Sequence, residues 1–326
     1  MEDKDTFLLG FDVGGTKCAA ILGKRRDASM PEIIEKSVFP TRDFRSPHSC
    51  IAKFVEEAER MLGNNKIDVA SLRALGISCG GPLDSKRGLV LSPPNLPGWD
   101  NLPIVDILRK HFNCPVFLQN DANAGAVAEW KYGAGVGTEN MVFLTFGTGL
   151  GAGLILGGRL YAGTNDMAGE CGHIRLEKDG PVGYGKAGSF EGFCSGGGIA
   201  KLGAFLAESA IKQGRNVSWY CYGSELTAKA IACAAEQGDE TAIQVFAESG
   251  RRLGQGLAVL IDILNPELIV IGSIFTRAES LLRSEMMSVI EKEALPIAAN
   301  VCRIVPSALK DSIGDYASLA VADICK

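Results

Sequence analysis

The chain has 326 residues, enough for about two ordinary domains, and its 46% hydrophobic against 22% charged residues can bury a sizeable core, which excludes a disordered chain. Thirty-three Lys and Arg against 38 Asp and Glu leave a formal charge of −5, which argues against nucleic acid as a main partner, because phosphate contacts need clustered cations. Ten Cys with no C-x-x-C pair read as reduced thiols of a cytoplasmic protein, and neither a signal region after the charged start MEDKDTF nor an apolar run long enough for a membrane span is present.

In chain order, FLLGFDVGGTKCAAILG (7–23) reads as strand, tight glycine turn and second strand. The basic cluster Lys24-Arg25-Arg26 follows and is expected in a solvated turn. SCIAKFVEEAERML (49–62) has helical apolar spacing, and SLRALGIS (71–78) reads as a buried strand. SPPNLPGWDNLP (92–103) is a loop, IVDILRKHF (104–112) a helix, and CPVFLQND (114–121) a strand ending in polar residues. ANAGAVAEWKYG (122–133) is a small-residue helix stopped by Gly133. MVFLTFGTGLGAGLILGG (141–158) repeats the pattern of strand, glycine turn and strand. Helices are predicted in 195–211, 225–237, 239–264, 278–295 and 314–326, with PELIVIGSIF (266–275) as a strand and turn among them. Two halves that each open on a hairpin suggest a duplicated α/β architecture with a cleft between the halves.

Neither glycine turn leads into a helix, as dinucleotide and P-loop motifs require. In GFDVGGTK, the turn at Gly14 and Gly15 can bring backbone amides to phosphate oxygens. Thr16 adds a hydroxyl, Lys17 a cation, and Asp12 can hold magnesium through water; the alternative is an ordinary hairpin turn. FGTGLGAG offers the same choice, with Thr148 and Gly149 at its tip. Asn120 and Asp121 stand between a strand and a helix, where functional groups of α/β folds concentrate. Asp121 is either a base for a hydroxyl attacking phosphorus or the N-cap of that helix. AGECGH supplies Glu170 and His173, but lacks the second His of a zinc-protease helix, and Glu191 follows.

Taken in order, these segments resemble the ROK family, named for repressors, open reading frames and kinases. DVGGTK and TFGTGLGAGLI look like its two phosphate motifs, NDANA like its catalytic loop, GECGH like its E-x-G-H motif, and NPELIVIGS like its adenosine motif. The resemblance covers nearly the whole chain. It implies a two-domain actin-like ATPase (ribonuclease H-like) fold with an interdomain cleft: a smaller domain from 1–120 plus about 309–326, and a larger one from 121–308 carrying dimerisation helices. It implies ATP-dependent phosphorylation of a hexose at the 6-hydroxyl, glucose foremost, by a homodimer. The alternatives are an N-acetylmannosamine or N-acetylglucosamine kinase and a sugar-responsive regulator. The regulator would need a DNA-binding domain before the first motif, and the six residues before Phe7 cannot hold one. Asp121 would be the general base. Gly81, Asn95, Asn120, Glu170, His173 and Glu191 would bind sugar hydroxyls. Asp12, Gly14, Gly15, Thr16, Lys17, Thr148 and Gly149 would serve Mg-ATP, with Gly197 and Gly272 near the nucleotide.

Two departures stand out. Family members commonly carry C-x-C-G-x-x-G-C-x-E after the E-x-G-H motif, three Cys and the His binding zinc. Here the frame reads VGYGKAGSFE, with Val182, Tyr184 and Ser189 in place of the three Cys, so no structural zinc is expected. Tyr184 and Phe190 are the candidates to order this loop instead. The G-x-x-x-x-G-K match at Gly180 to Lys186 is then accidental. In the adenosine motif, Ser273 replaces a second glycine that the family often has, and a modest change in nucleotide packing is expected.

Overall fold

The computed structural model describes residues 5–26, 29–223 and 225–324; the charged start before Asp5 and Cys325 lie outside them. The chain folds as two compact units. The first holds the residues up to Gly137, Gly153–Ala168, and the chain from Asp311 on; the second holds Thr138–Ala152 and Gly169–Lys310. The helix after Asn120 thus packs in the first unit, beyond the boundary expected at 120.

The first unit is built on a five-stranded sheet. Strands β1 (Thr6–Val13) and β2 (Lys17–Arg25) form the first glycine hairpin, and β3 (Glu32–Pro40) adds an edge. β4 (Leu72–Cys79) lies parallel to β1, and β7 (Val116–Asn120) parallel to β4, giving the order β3-β2-β1-β4-β7. A small ribbon, β5 (Leu83–Asp84) with β6 (Leu89–Val90), stands apart. Helix α1 (Pro47–Asn64) starts on a capping box of Ser46 and Ser49 with Pro47 at its first position. Its Ile51, Phe54, Ala58 and Met61 repeat at helical spacing and bury in the core with Phe11 and Phe112, the latter from α2 (Ile104–Phe112).

The opposite face of the sheet takes the chain's last helix, α10 (Ile313–Ala322), with α3 (Asp121–Tyr132) packed beside it. Gly76 of β4 admits α10 at backbone contact: a Cβ there would lie 2.1 Å from the Ser318 carbonyl oxygen. The C-terminal ends of α3 and α10 are tied by Asp323, which accepts from Arg25 and from Lys131 and Tyr132 at 2.8 and 3.1 Å. Arg25 is therefore not in a solvated turn: it ends β2 with its side chain largely buried against that carboxylate, while Lys24 pairs with Asp5 at 2.6 Å.

The second unit has the sheet order β13-β12-β8-β9, from β8 (Met141–Phe146), β9 (Leu150–Ile155, counted with the first unit from Gly153 on), β12 (Leu268–Ile271) and β13 (Arg303–Pro306). β12 is parallel to both β8 and β13 and fully buried, which fits its unbroken LIVI run. A hairpin of β10 (Val182–Gly183) and β11 (Lys186–Ala187) precedes the short helix α4 (Phe190–Phe193). Helices α5 (Gly196–Lys212), α6 (Ala228–Glu236), α7 (Glu240–Leu264), α8 (Ile274–Glu293) and α9 (Pro296–Ala299) complete the unit. Gly256 of α7 leaves the space that the ring of Phe190 fills, a Cβ there falling 2.3 Å from the ring. Among the described residues no helix is long and apolar enough to cross a membrane.

Candidate active site

In the first unit, strand register sets the geometry. Val13 pairs with Cys79, and Cys79 with Asn120, so three parallel strands end side by side. Asp12 is the last residue but one of β1, and Gly80–Gly81 and Asp121 follow β4 and β7 at that carboxyl edge, where parallel sheets carry ligand groups. The β1–β2 turn is closed by Gly14 N–H donating to the Lys17 carbonyl at 3.2 Å, and Thr41 Oγ1 donates to the Gly14 carbonyl at 2.6 Å. Gly15, Thr16 and Lys17 are exposed at its tip. A Cβ on Gly15 would meet the Asn95 carbonyl oxygen at 2.7 Å, so the first turn and the Asn95 loop touch. That loop is anchored by the buried Leu96 and Trp99, with Asn95 exposed.

Asn120, and not Asp121, is the N-cap of α3: its Oδ1 accepts from Asn123 N–H at 2.7 Å. Its NH2 group alone is left to meet a ligand. Asp121 occupies the first helical position, accepts from Ala122 N–H at 2.9 Å, and keeps an exposed side chain. Protein packed around the carboxyl raises its pKa above the usual carboxylate range, and the first-turn amides lower it in part. Its charge also acts on Asp12. Burial first, then Asp121 and Asp315, push Asp12 up to about 7, against the pull of Lys17 and Lys36. Asp315 sits in the first turn of α10 and pairs with Lys36 at 2.6 Å; no local motif marks it, because it reaches Asp12 only through the packing of α10 on β1.

In the second unit, the β8–β9 turn presents Gly147, Thr148 and Gly149, with Thr148 exposed. Leu150 N–H donates to Glu191 Oε2 at 3.0 Å, and a Cβ on Gly149 would fall 2.8 Å from that oxygen. The second turn and Glu191 are thus held together, Glu191 lying in the first turn of α4 behind its cap Ser189. Glu170 and His173 are exposed at the two ends of one helical turn, with His173 N–H donating to the Glu170 carbonyl at 3.1 Å. Gly197 at the start of α5 is exposed, and nothing stands within 4 Å of where its Cβ would lie. Gly272 is buried, and a Cβ there would press on the Phe143 ring at 3.3 Å, which is a packing reason for the glycine. Ser273 has φ 55°, a left-handed conformation suited to glycine, which explains physically why a glycine is expected at this position.

The zinc frame has no zinc donors. Val182 has no lone pair to offer, Ser189 is buried with its hydroxyl accepting from Gly192 N–H at 3.1 Å, and Tyr184 turns its ring towards His173. Among the described residues no group of three or more His, Cys, Asp or Glu is placed to hold a metal ion. The residues do not fit a structural zinc. Phe190 is completely buried, whereas Tyr184 is 71% exposed.

The ROK family model matches residues 8–322. The chain is 32% identical over 300 residues to a glucokinase of Halalkalibacterium halodurans, covering 91% of this chain and 88% of that one. It is also 32% identical over 238 residues to the xylose repressor of Caldicellulosiruptor bescii, covering 73% of this chain and 59% of the repressor. Its fold matches, with TM-score 0.73 and 28% identity over 98% of this chain and 99% of the other, a ROK family glucokinase from Streptomyces griseus solved in complex with glucose and AMPPNP. The fold is accordingly that of the two-domain actin-like ATPases. With a single family model spanning the first strand to the last helix, the chain belongs to the ROK family.

Proposed function

We propose that this protein transfers the γ-phosphoryl group of ATP to the 6-hydroxyl of a hexose, with glucose as the first substrate. The observation that carries the reading is the division of labour at the start of α3: Asn120 caps the helix, so Asp121 is left with an exposed carboxylate at the same sheet edge as the first glycine turn. A primary hydroxyl holds its proton far above neutral pH, so attack on phosphorus needs a group to accept that proton. A carboxylate whose pKa is raised is a stronger base once ionised, and Asp121 is such a group. Most of the remaining work in phosphoryl transfer is positioning and charge neutralisation. Asp12 would hold the magnesium of the Mg-ATP substrate, and Gly14, Gly15, Thr16, Lys17, Thr148 and Gly149 would meet the phosphates. Gly81, Asn95, the Asn120 amide, Glu170, His173 and Glu191 would pair with sugar hydroxyls, so an analogue lacking one would leave a partner unmatched.

The glucokinase relatives support the sugar-kinase class, and the glucose and AMPPNP bound to the Streptomyces griseus relative support the substrate pair. An N-acetylhexosamine kinase is the second reading, since a Listeria monocytogenes neighbour is described as a putative N-acetylmannosamine kinase. An ADP-release screen over hexoses and N-acetylhexosamines with Mg-ATP separates the two by rank. Asp121→Asn should lower turnover by about 100-fold or more, the range of general acid–base catalysis, with unchanged circular dichroism. Near-normal turnover in that variant would reject the assignment. Sugar binding without any ADP release by the unaltered protein would favour a regulator, the role named for the repressor relative.

A further inference from the structure

The segment Gly180 to Lys186 matches a phosphate loop in sequence, yet it is no such loop. It forms the β10–β11 hairpin, and its Lys186 lies in a strand where a phosphate loop would open a helix. The two residues at its tip, Tyr184 and Gly185, have φ of 43° and 76°, the positive pair that a two-residue type I′ turn requires. Gly185 adopts this freely. Tyr184 does so with strain, and it does so while its ring is mostly exposed. Two unfavourable features at one residue point to a contact that needs the ring.

The contact is His173. The Tyr184 and His173 rings meet edge to face, with centroids 6.2 Å apart and planes at 79°. The Lys186 ammonium donates to the His173 carbonyl at 2.6 Å. The base of the hairpin is braced from several sides: Lys201 Nζ donates to the Val182 carbonyl at 2.7 Å, Arg175 Nη1 to the Ala187 carbonyl at 2.7 Å, and Ser189 Oγ to the Gly183 carbonyl at 3.3 Å. Phe190 N–H donates to the Ile174 carbonyl at 2.8 Å, and the fully buried Phe190 ring fixes the strand that leads out. The hairpin is therefore a braced arm whose tip presses on one histidine, from the ring side and from the main-chain side.

We propose that Tyr184 and Lys186 are positioning residues for His173, performing through a ring contact and a cation–carbonyl bond what a metal ligated by that histidine would otherwise perform. The proposal rests on the kinase reading for its consequence, that His173 is held ready for a sugar hydroxyl, but its structural part stands without it. Neither residue touches the reacting atoms. Their effect passes through His173, so it falls on sugar binding and spares the nucleotide.

The test uses the full-length protein and four variants: Lys186→Ala, Lys186→Arg, Tyr184→Ala and Tyr184→Phe. In the ligand-free state, amide hydrogen exchange is followed for the peptide holding His173 and Ile174, whose N–H groups close the turn after Glu170. Both alanine variants should exchange faster there, while Lys186→Arg and Tyr184→Phe keep native protection. In the ADP-release assay, Lys186→Ala should raise KM for the sugar about tenfold, the range of a hydrogen bond from a charged donor, with kcat and KM for Mg-ATP within about twofold of native. Lys186→Arg should restore the sugar KM. Native exchange at this peptide in both alanine variants overturns the proposal, as does a joint rise of KM for sugar and for Mg-ATP. Absence of sugar-dependent ADP release in the unaltered protein would sink the kinase reading alone, and the exchange data would still decide the clamp.

Discussion

Replacement of Asp12 by Asn should stabilise this protein at alkaline pH while weakening its hold on Mg-ATP. Asp12 loses its proton near the ordinary value of 3.8 in the unfolded chain and at about 7 in the folded one. Between those values the unfolded chain releases a proton that the folded chain keeps, so stability falls as pH rises and the full penalty stands above pH 7. The difference corresponds to about 4 kcal/mol. Asp12 keeps partial access to water, which screens the penalty, and about 2 kcal/mol is a reasonable expectation. Asn is nearly isosteric and carries no charge to desolvate. The thermal midpoint of the ligand-free variant should exceed the native one by about 4–8 °C at pH 8, and the two should converge towards pH 4. Differential scanning calorimetry across that range measures it. If Asp12 holds the magnesium as proposed, Mg-ATP should raise the native midpoint far more than the variant's, because the variant lacks that charge. A native midpoint equal to or above the variant's at pH 8, without ligand, would refute the assignment of burial as the cause.

Two further outcomes follow from particular residues. Ser273→Gly should relieve the left-handed conformation at φ 55° and stabilise the protein by about 1 kcal/mol, the strain released exceeding the added freedom of the unfolded chain. An unchanged or lower unfolding midpoint in denaturant would show that Ser273 sits there without strain. Asp323→Ala should destabilise by about 2 kcal/mol, because Arg25, Lys131 and Tyr132 lose a common, nearly buried acceptor, though both cations keep some water contact. Urea unfolding measures it, and a loss below about 0.5 kcal/mol, the size of an exposed pair, would demote the cluster to surface decoration.

The parts of the fold that are legible in the sequence are those whose signal is local. Both glycine hairpins, the β12 run LIVI, and the apolar stripes of α1, α2 and α7 announce themselves within a few residues. β3 does not: as an edge strand of EIIEKSVFP it carries charges on both faces and only one fully buried side chain, so no period of two survives. Helix α8 starts at Ile274, ahead of the expected 278, since SIF reads as the end of a strand until Ser273 turns the chain sharply. The burial of Arg25 has no local trace at all, because its partner lies 298 residues away. The same holds for Gly153–Ala168, which a reading by sequence proximity leaves with the second unit although it packs in the first.

The site divides along the same line. Residue types at motif spacing point to Asp12, Asp121, the two glycine turns, Glu170, His173 and Glu191. What the motifs cannot decide is which of two adjacent residues does which work. Asn and Asp are equally good helix caps, so Asn120 and Asp121 are interchangeable until the strand register puts Asn120 opposite Cys79 at the last position of β7. Once Asn120 takes the cap, its carbonyl oxygen is spent on Asn123, and the neighbouring carboxylate is the one that can change protonation without unwinding the helix. The cap and the proposed base thus depend on each other. A double variant that combines Asn120→Asp with Asp121→Asn would preserve the helix start, since Asp caps as well as Asn. The same exchange would remove proton acceptance at the proposed position, because the carboxylate would then be held at the cap by Asn123 N–H, one residue before the place that Asp121 occupies. A helix that folds normally on an inactive enzyme, read by circular dichroism beside ADP release, is therefore the outcome that the geometry at the start of α3 demands.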